Sequence, residues 1–337
     1  MRVRVSPPAP YYGVILETRK AERCFALAKP RAGVASGLAD EPSRHVTESL
    51  PRHHRMYGRI VTKLPSGFIP YQQWPEFDAL NYVLPHLEAL EIKATPRGVR
   101  SGRWPIYFEE YVSDAEPTPL SSAGAPPRLV IWRRLTRTDT PPGWWRLGWR
   151  ASRKEGFTDL EAREDYRASW SESTKRYWRK WLSEKDVSIL PISINEFLKE
   201  YAKSDLPPWI RENYACMAKR MHVGPKSEYL EIIGPRDLKT NRLLAGMIVV
   251  NSPSCRASYY LCGFVAPDAK HRAAMVGLMD HWFDTSKKRG YRFLHLGEFW
   301  IPGKPRHWKG FSEFKSKFGL SYIAYPPVLA KPKGSTL

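Results

Sequence analysis

The sequence predicts a mixed α/β (α+β) protein built as two tandem domains, and three observations carry that prediction. After about residue 184, short apolar runs of period two alternate with stretches whose apolar residues recur at spacings of three and four, as strands and helices do. The longest apolar run, LLAGMIVV from Leu243 to Val250, has the length of a buried strand and falls short of the roughly 18 to 20 residues that cross a bilayer. A chain of 337 residues with 42% hydrophobic and 13% aromatic content exceeds what one core usually fills.

Residues 1–55 are rich in Arg, Pro, Ala and Ser, lack a sustained period and read as a poorly ordered basic leader. Met56 and the alternating YGRIVTKL open the folded part, and residues 56–159 form an N-terminal α/β domain. Its strands are PIYFEEYV (Pro105 to Val112) and RLVIWRRL (Arg128 to Leu135), with FDALNYVLPHLEALE (Phe77 to Glu91) partly helical. Leu160 to Leu182 reads as one helix, with Tyr166, Trp170, Tyr177 and Trp181 near one face and basic residues around it; residues 160–183 are assigned as a basic linking helix.

Residues 184–330 form the C-terminal domain, followed by a tail at 331–337. Its elements are a strand VSILPIS (Val187 to Ser193), a helix NEFLKEYAKS (Asn195 to Ser204) and a helix opened by Pro207 and Pro208. Strands YLEIIG, RLLAGMIVVN and SYYLCGFV (Ser258 to Val265) follow, then a long helix closed by Gly290. The strand YRFLHLGEF (Tyr291 to Phe299), a helix GFSEFKSKFG (Gly310 to Gly319) and a final strand pair LSYIAY and VLAK complete the order βααβββαβαββ. In GFSEFKSKFG, the spacing of Phe311, Phe314 and Phe318 predicts a shared buried face with Lys315 and Lys317 projecting elsewhere.

The net charge of +20 predicts attraction to phosphate-rich or anionic partners: nucleic acid, nucleotide-linked substrates or an anionic membrane surface. Charge alone does not choose among these, and a basic surface without a dedicated partner is the plain alternative. The four cysteines show no CxxC pair, and His53–His54 lack neighbouring ligands, so no metal site is expected. With no secretory h-region and no membrane span, a cytoplasmic protein is expected, with peripheral contact at the inner face of the membrane compatible with its charge.

The order of elements resembles the GNAT acyltransferase fold, in which two central strands, here SYYLCGFV and YRFLHLGEF, splay apart around an acyl donor. Within it, the chain resembles the FemAB-like branch, aminoacyltransferases that use aminoacyl-tRNA to extend peptidoglycan precursors and carry two GNAT-like domains in tandem. The resemblance rests on the basic helix and strand STKRYWRKWLSEKDVSILPI, the tyrosine-rich SYYLCGFV, the helix ending at Gly290 and the Phe-Lys helix FKSKFG, across roughly residues 165 to 330. It implies tandem GNAT-like domains with the C-terminal one complete. The stretch VAPDAKHRAAMVG lacks the glycine pair of the pyrophosphate loop in CoA-using members, which disfavours an acyl-CoA donor.

The resemblance further implies that Lys315 stabilises a tetrahedral intermediate and that Phe314 contacts the terminal adenosine of the tRNA. Glu298 is a candidate proton acceptor, and Tyr260 joins the catalytic set. Lys309, Lys317, His295, Arg176, Arg179 and Lys180 are expected on the donor side, and Arg211, Arg220 and Tyr259 on the acceptor side. Strand alternation puts His295 and Glu298 on opposite faces, so only one should meet the site, and likewise only one of Tyr259 and Tyr260. Each assignment has a plain structural alternative: the phenylalanines merely dock the helix, Lys315 is a solvated flank, and the arginines line a solvated helix face. No cofactor is expected beyond aminoacyl-tRNA as co-substrate, with acyl-CoA or another thioester as the alternative donor and silent RNA binding on the same scaffold as a third reading. The expected partners are aminoacyl-tRNA and a nucleotide- or lipid-linked muropeptide.

Overall fold

The structure, a computed structural model, describes residues 59–61, 64–74, 97–101, 106–117, 128–147, 154–224, 227–302 and 307–333. The chain divides into the units Met1–Arg55 and Met56–Leu337, and all described residues belong to the second. The expected leader, the helix at 77–91, Cys24 and His53–His54 lie outside them.

Thirteen strands among the described residues form two sheets. The larger has eight strands: β1 (Arg59–Val61), β6 (Lys154–Asp159), β7 (Val187–Pro191), β8 (Leu230–Asp237), β9 (Ala245–Ser252), β10 (Ala257–Val265), β11 (Phe293–Glu298) and β12 (Ser321–Ala324). Their spatial order is β1-β12-β6-β11-β10-β9-β8-β7. The smaller sheet runs β2-β3-β4-β13-β5, from β2 (Arg97–Ser101), β3 (Ile106–Val112), β4 (Arg128–Arg133), β5 (Trp145–Arg146) and β13 (Leu329–Lys333). Around Trp132 and Trp144 it has its own core, which includes Leu329 of β13.

Strands cross the expected division at 160–183 in both directions. β6, from the earlier segment, lies between β12 and β11, whereas β13, from the later segment, pairs with β4 and β5. LSYIAY and VLAK are thus not a pair: Tyr325 to Val328 carries the chain from one sheet to the other.

Alternation along the large sheet explains its two apolar layers. On β9, Ile248 and Val250 face one core with Phe197, Tyr201 and Met217, from α2 (Ile194–Tyr201) and α3 (Pro208–Val223). Met247 and Val249 face the other with Leu278, Met279, Trp282 and Phe283 of α4 (Ala274–Lys288).

Leu160 to Leu182 is not one helix. Asp165 accepts a bond from the Arg167 amide and Ser171 caps from the Thr174 amide, so a 3-10 turn at Tyr166–Ser169 gives way to α1 (Glu172–Leu182). Tyr166 and Trp170 are buried while Tyr177 is 43% exposed, so the expected common aromatic face does not form. Asp280 of α4 fastens this region, accepting from the Tyr166 hydroxyl at 3.0 Å, Arg167 Nε at 2.6 Å and Trp178 Nε1 at 2.9 Å. Trp181 lies against Gly277 so closely that a Cβ there would overlap the indole.

The feature that makes a site is the pairing of β10 with β11. These parallel neighbours hold register only at Ala257–Phe293, Ser258–Leu294 and Tyr259–His295, although both strands continue. At that level each is irregular against its outer neighbour: β10 between Tyr260 and Cys262, β11 between His295 and Glu298. A bulge bends its strand, and two at one level part the pair into a V. This is the splay that the GNAT resemblance implies for these two strands.

Candidate active site at the splayed strand pair

A cavity of about 280 Å³ fills the V. β10 contributes Tyr259 to Gly263, β11 contributes Gly297 and Glu298, and α3 presents Ile210, Tyr214 and Met217. The fourth wall is α5 (His307–Ser316), whose Trp308, Phe311, Ser312 and Lys315 stand at i, i+3, i+4 and i+7 on one helical face. Tyr71, whose ring is tilted 37° against that of Tyr259 at 4.3 Å between centroids, and Tyr201 complete its aromatic lining.

Among the described residues Lys315 is the cation that lines this chamber. Its Nζ donates to the Leu296 carbonyl at 2.6 Å and lies 5.4 Å from the Tyr260 ring centre and 5.6 Å from that of Phe299. Burial lowers its pKa to about 8, against opposing attraction from Glu298 and Glu155. The β11 bulge makes this contact possible, because the register with β6 skips Leu296 and Gly297. Gly297 has φ +71°, and a Cβ would come within 2.9 Å of the Tyr259 hydroxyl, so both conformation and space require glycine. An ammonium has three donors, so with one on Leu296 two remain for a ligand.

The sequence-based assignments divide. Lys315, Glu298, Tyr260 and Tyr259 all line the cavity. Tyr259 and Tyr260 belong to opposite cores yet both meet the opening, which corrects the expectation that only one would: the cavity lies beyond the last paired residue, at the edge of both faces. His295 does not line it. It is fully buried, stacked on Phe68 at 4.7 Å, and its Nδ1 is 2.8 Å from Glu155 Oε1 while Tyr325 donates to Glu155 Oε2 at 2.7 Å.

Phe314 is also corrected. It packs on Phe318 at 5.2 Å with the α4 core, whereas Phe311 is 39% exposed on the cavity face, so the three phenylalanines do not share a surface. Lys309 lies outside the cavity, 5.7 Å from the Trp300 ring centre, as does Lys317, whose carbonyl accepts from the Ser171 amide. Arg176, Arg179 and Lys180 are exposed on α1 and do not line the cavity. Arg211 donates to the Ser204 carbonyl at 2.7 Å and leaves the α3 cavity face to apolar residues. The Arg220 side chain lies outside the described residues.

Burial drives the Cys262 thiol and the Tyr260 and Tyr201 hydroxyls upward in pKa, so all three are neutral near pH 7. Cys262 is thus a poor nucleophile. Among the described residues no cluster of His, Cys, Asp and Glu could hold a metal, and no helix is long and apolar enough to cross a membrane.

No protein-family model matches the sequence, and no curated protein matches it. Similar solved structures include FemX, at 11% identity and a TM-score of 0.42, covering 56% of this chain and 65% of that one. The C-terminal domain of a putative lysylphosphatidylglycerol synthetase from Agrobacterium fabrum aligns at 12% identity and a TM-score of 0.42, covering 70% and 79%. L-PGS from Bacillus licheniformis aligns at 13% and 0.43, covering 72% and 82%. The chain thus spans just under two thirds of the FemX structure.

Proposed function

We propose that this chain is an acyltransferase acting on an amine, and specifically a tRNA-dependent aminoacyltransferase that moves an amino acid onto an amine of a peptidoglycan precursor. The observation that carries the reading is Lys315, a cation held inside an apolar cavity at the mouth of a splayed parallel pair. An aminoacyl ester is already activated. Its transfer requires alignment with the amine, a proton acceptor and stabilisation of the oxyanion that develops on the carbonyl oxygen.

In this reading the amine nitrogen attacks the ester carbonyl carbon and the Lys315 ammonium receives the oxyanion. Glu298 takes the amine proton and returns it to the departing ribose oxygen as the C–O bond breaks. No covalent enzyme intermediate is required, in keeping with the raised Cys262 thiol. A cavity of about 280 Å³ suits an aminoacyl group and leaves the rest of the donor outside. Trp308 and Phe311 at its wall, in place of Phe314, offer ring faces for the terminal adenosine. The charge of +20 favours a phosphate-rich donor, and the motif resemblance supplies the acceptor.

The test supplies the protein with a pool of labelled aminoacyl-tRNAs and, separately, labelled acetyl-CoA, each with nucleotide- and lipid-linked muropeptides. Label reaching a muropeptide from tRNA is expected. Label arriving only from the thioester would replace the tRNA donor, and RNA binding without transfer from either would leave a binding protein on this scaffold.

A further inference from the structure

Tyr201 has no role in the chemistry above, yet it is the least satisfied polar group in the cavity. Its side chain is 1% exposed, it lines the cavity, and its hydroxyl has no hydrogen-bond partner among the described residues. Buried hydroxyls are normally paired, so an orphan facing a cavity marks a place where a ligand atom completes the bond.

Its surroundings indicate which ligand atom. Tyr214, Cys262 and Tyr260 stand within electrostatic reach of Tyr201. The Tyr260 hydroxyl points towards Gly263, where a Cβ would come within 2.7 Å of it, while the Tyr260 ring lies 5.4 Å from the Lys315 ammonium. The Tyr260 side chain therefore runs along the cavity from the reacting end to the Tyr201 end. Leu206, Ile210 and Met217 complete an uncharged wall, and Gly263 leaves the Tyr260 hydroxyl room.

We infer that the chamber framed by Tyr201, Tyr214, Tyr260 and Cys262 is the subsite for the side chain of the transferred acyl group, and that it selects an uncharged side chain bearing a hydrogen-bonding group for Tyr201. The inference rests on the reading of the cavity as an acyl-transfer site and deepens it. An anionic side chain is rejected because it would be desolvated with no cation to bond among the described residues: Arg211 donates to the Ser204 carbonyl and does not line the cavity, and the Lys315 ammonium lies at the reacting end. A cationic one is rejected because Lys315 lies one ring away and Arg211 is also within electrostatic reach of Tyr201. A purely apolar side chain fits but leaves the hydroxyl unpaired, and sites built to bond a polar atom discriminate strongly against analogues that lack it.

The test is equilibrium binding of amino-acid amides to the full chain, followed by ligand-observed NMR. The probes are the pairs threoninamide and valinamide, glutaminamide and methioninamide, and tyrosinamide and phenylalaninamide, with lysinamide and aspartic acid α-amide. In the wild-type protein the polar member of at least one pair binds roughly tenfold more tightly than its apolar partner, the effect of one buried hydrogen bond. Tyr201→Phe abolishes that preference without lowering the thermal midpoint, since it deletes an unpaired group. Equal binding within every pair, no binding at millimolar probe, tightest binding by lysinamide or the aspartyl amide, or a preference unchanged in Tyr201→Phe overturns the inference. The readout needs no donor and no turnover. Transfer observed without discrimination refutes the subsite alone, and discrimination without transfer refutes the acyl-transfer reading alone.

Discussion

At the scale of single residues, Lys315 carries opposing demands. Its lowered pKa means that folding acts against the charged form, so the cost of burying the ammonium is fully present below about pH 8 and fades as pH rises from there towards 10.5. Lys315→Met should therefore be more stable than wild type at pH 7, on the order of 1–3 kcal/mol, with the gain shrinking above pH 8; urea melts at pH 7 and 10 check this. Activity should move the other way. The acceptor amine also titrates, but it does so equally for both proteins. The ratio of wild-type to Lys315→Ala transfer rates should therefore be constant below pH 7 and fall as the ammonium is lost through about pH 8. A second residue-scale prediction concerns Gly319, which ends the Phe-Lys helix with φ +67° and has no room for a Cβ beside Ser169. Gly319→Ala should lower stability by roughly 2–4 kcal/mol through strain and overlap together, measured by urea melts.

At the scale of elements, α5 separates packing from chemistry. Phe311→Ala should raise KM for the donor with little loss of stability, because Phe311 is exposed at the cavity wall. Phe314→Ala should instead lower the unfolding midpoint and leave the kinetic constants of the folded fraction close to wild type, since Phe314 packs on Phe318. Steady-state kinetics beside thermal melts distinguish the two. The sequence made the helix legible through its three phenylalanines, but assigned them one face. The informative period is Trp308, Phe311, Ser312 and Lys315, which begins before the segment FKSKFG and mixes aromatic, hydroxyl and cation, so apolar periodicity does not show it. The same limit explains α3: its arginines suggested a binding face, while Ile210, Tyr214 and Met217 form the cavity wall. His295 differs from its expected place for a related reason. A histidine near a strand end reads as available, and only tertiary structure supplies Phe68, Trp74 and Glu155 to bury it.

At the scale of the whole molecule, local order was legible and connectivity was not. Each strand and helix expected from Val187 to Lys331 has a counterpart, because alternation and helical spacing are local properties. That β6 enters the large sheet and β13 leaves it depends on pairing across 130 residues or more, for which the sequence carries no periodic signal. The exchange has a consequence: a fragment spanning 184–330 lacks β6, which sits between β11 and β12, and exposes unpaired edges on both. Such a fragment should fail to give a cooperative melt, whereas 56–337 should melt as one transition, by circular dichroism. The basic charge predicts that RNA association weakens steeply with salt, with a log–log slope proportional to the number of phosphates contacted. The Arg176, Arg179 and Lys180 face of α1 is exposed and outside the cavity, so charge reversal there should flatten that slope while leaving amide binding intact. The most direct test of the central claim is the single-turnover rate of acyl transfer at pH 7, with bound donor, in wild type and Lys315→Ala. The account predicts a fall of roughly a hundredfold or more, the loss expected when an oxyanion partner is removed. A variant that folds, binds donor and transfers at the wild-type rate would contradict it.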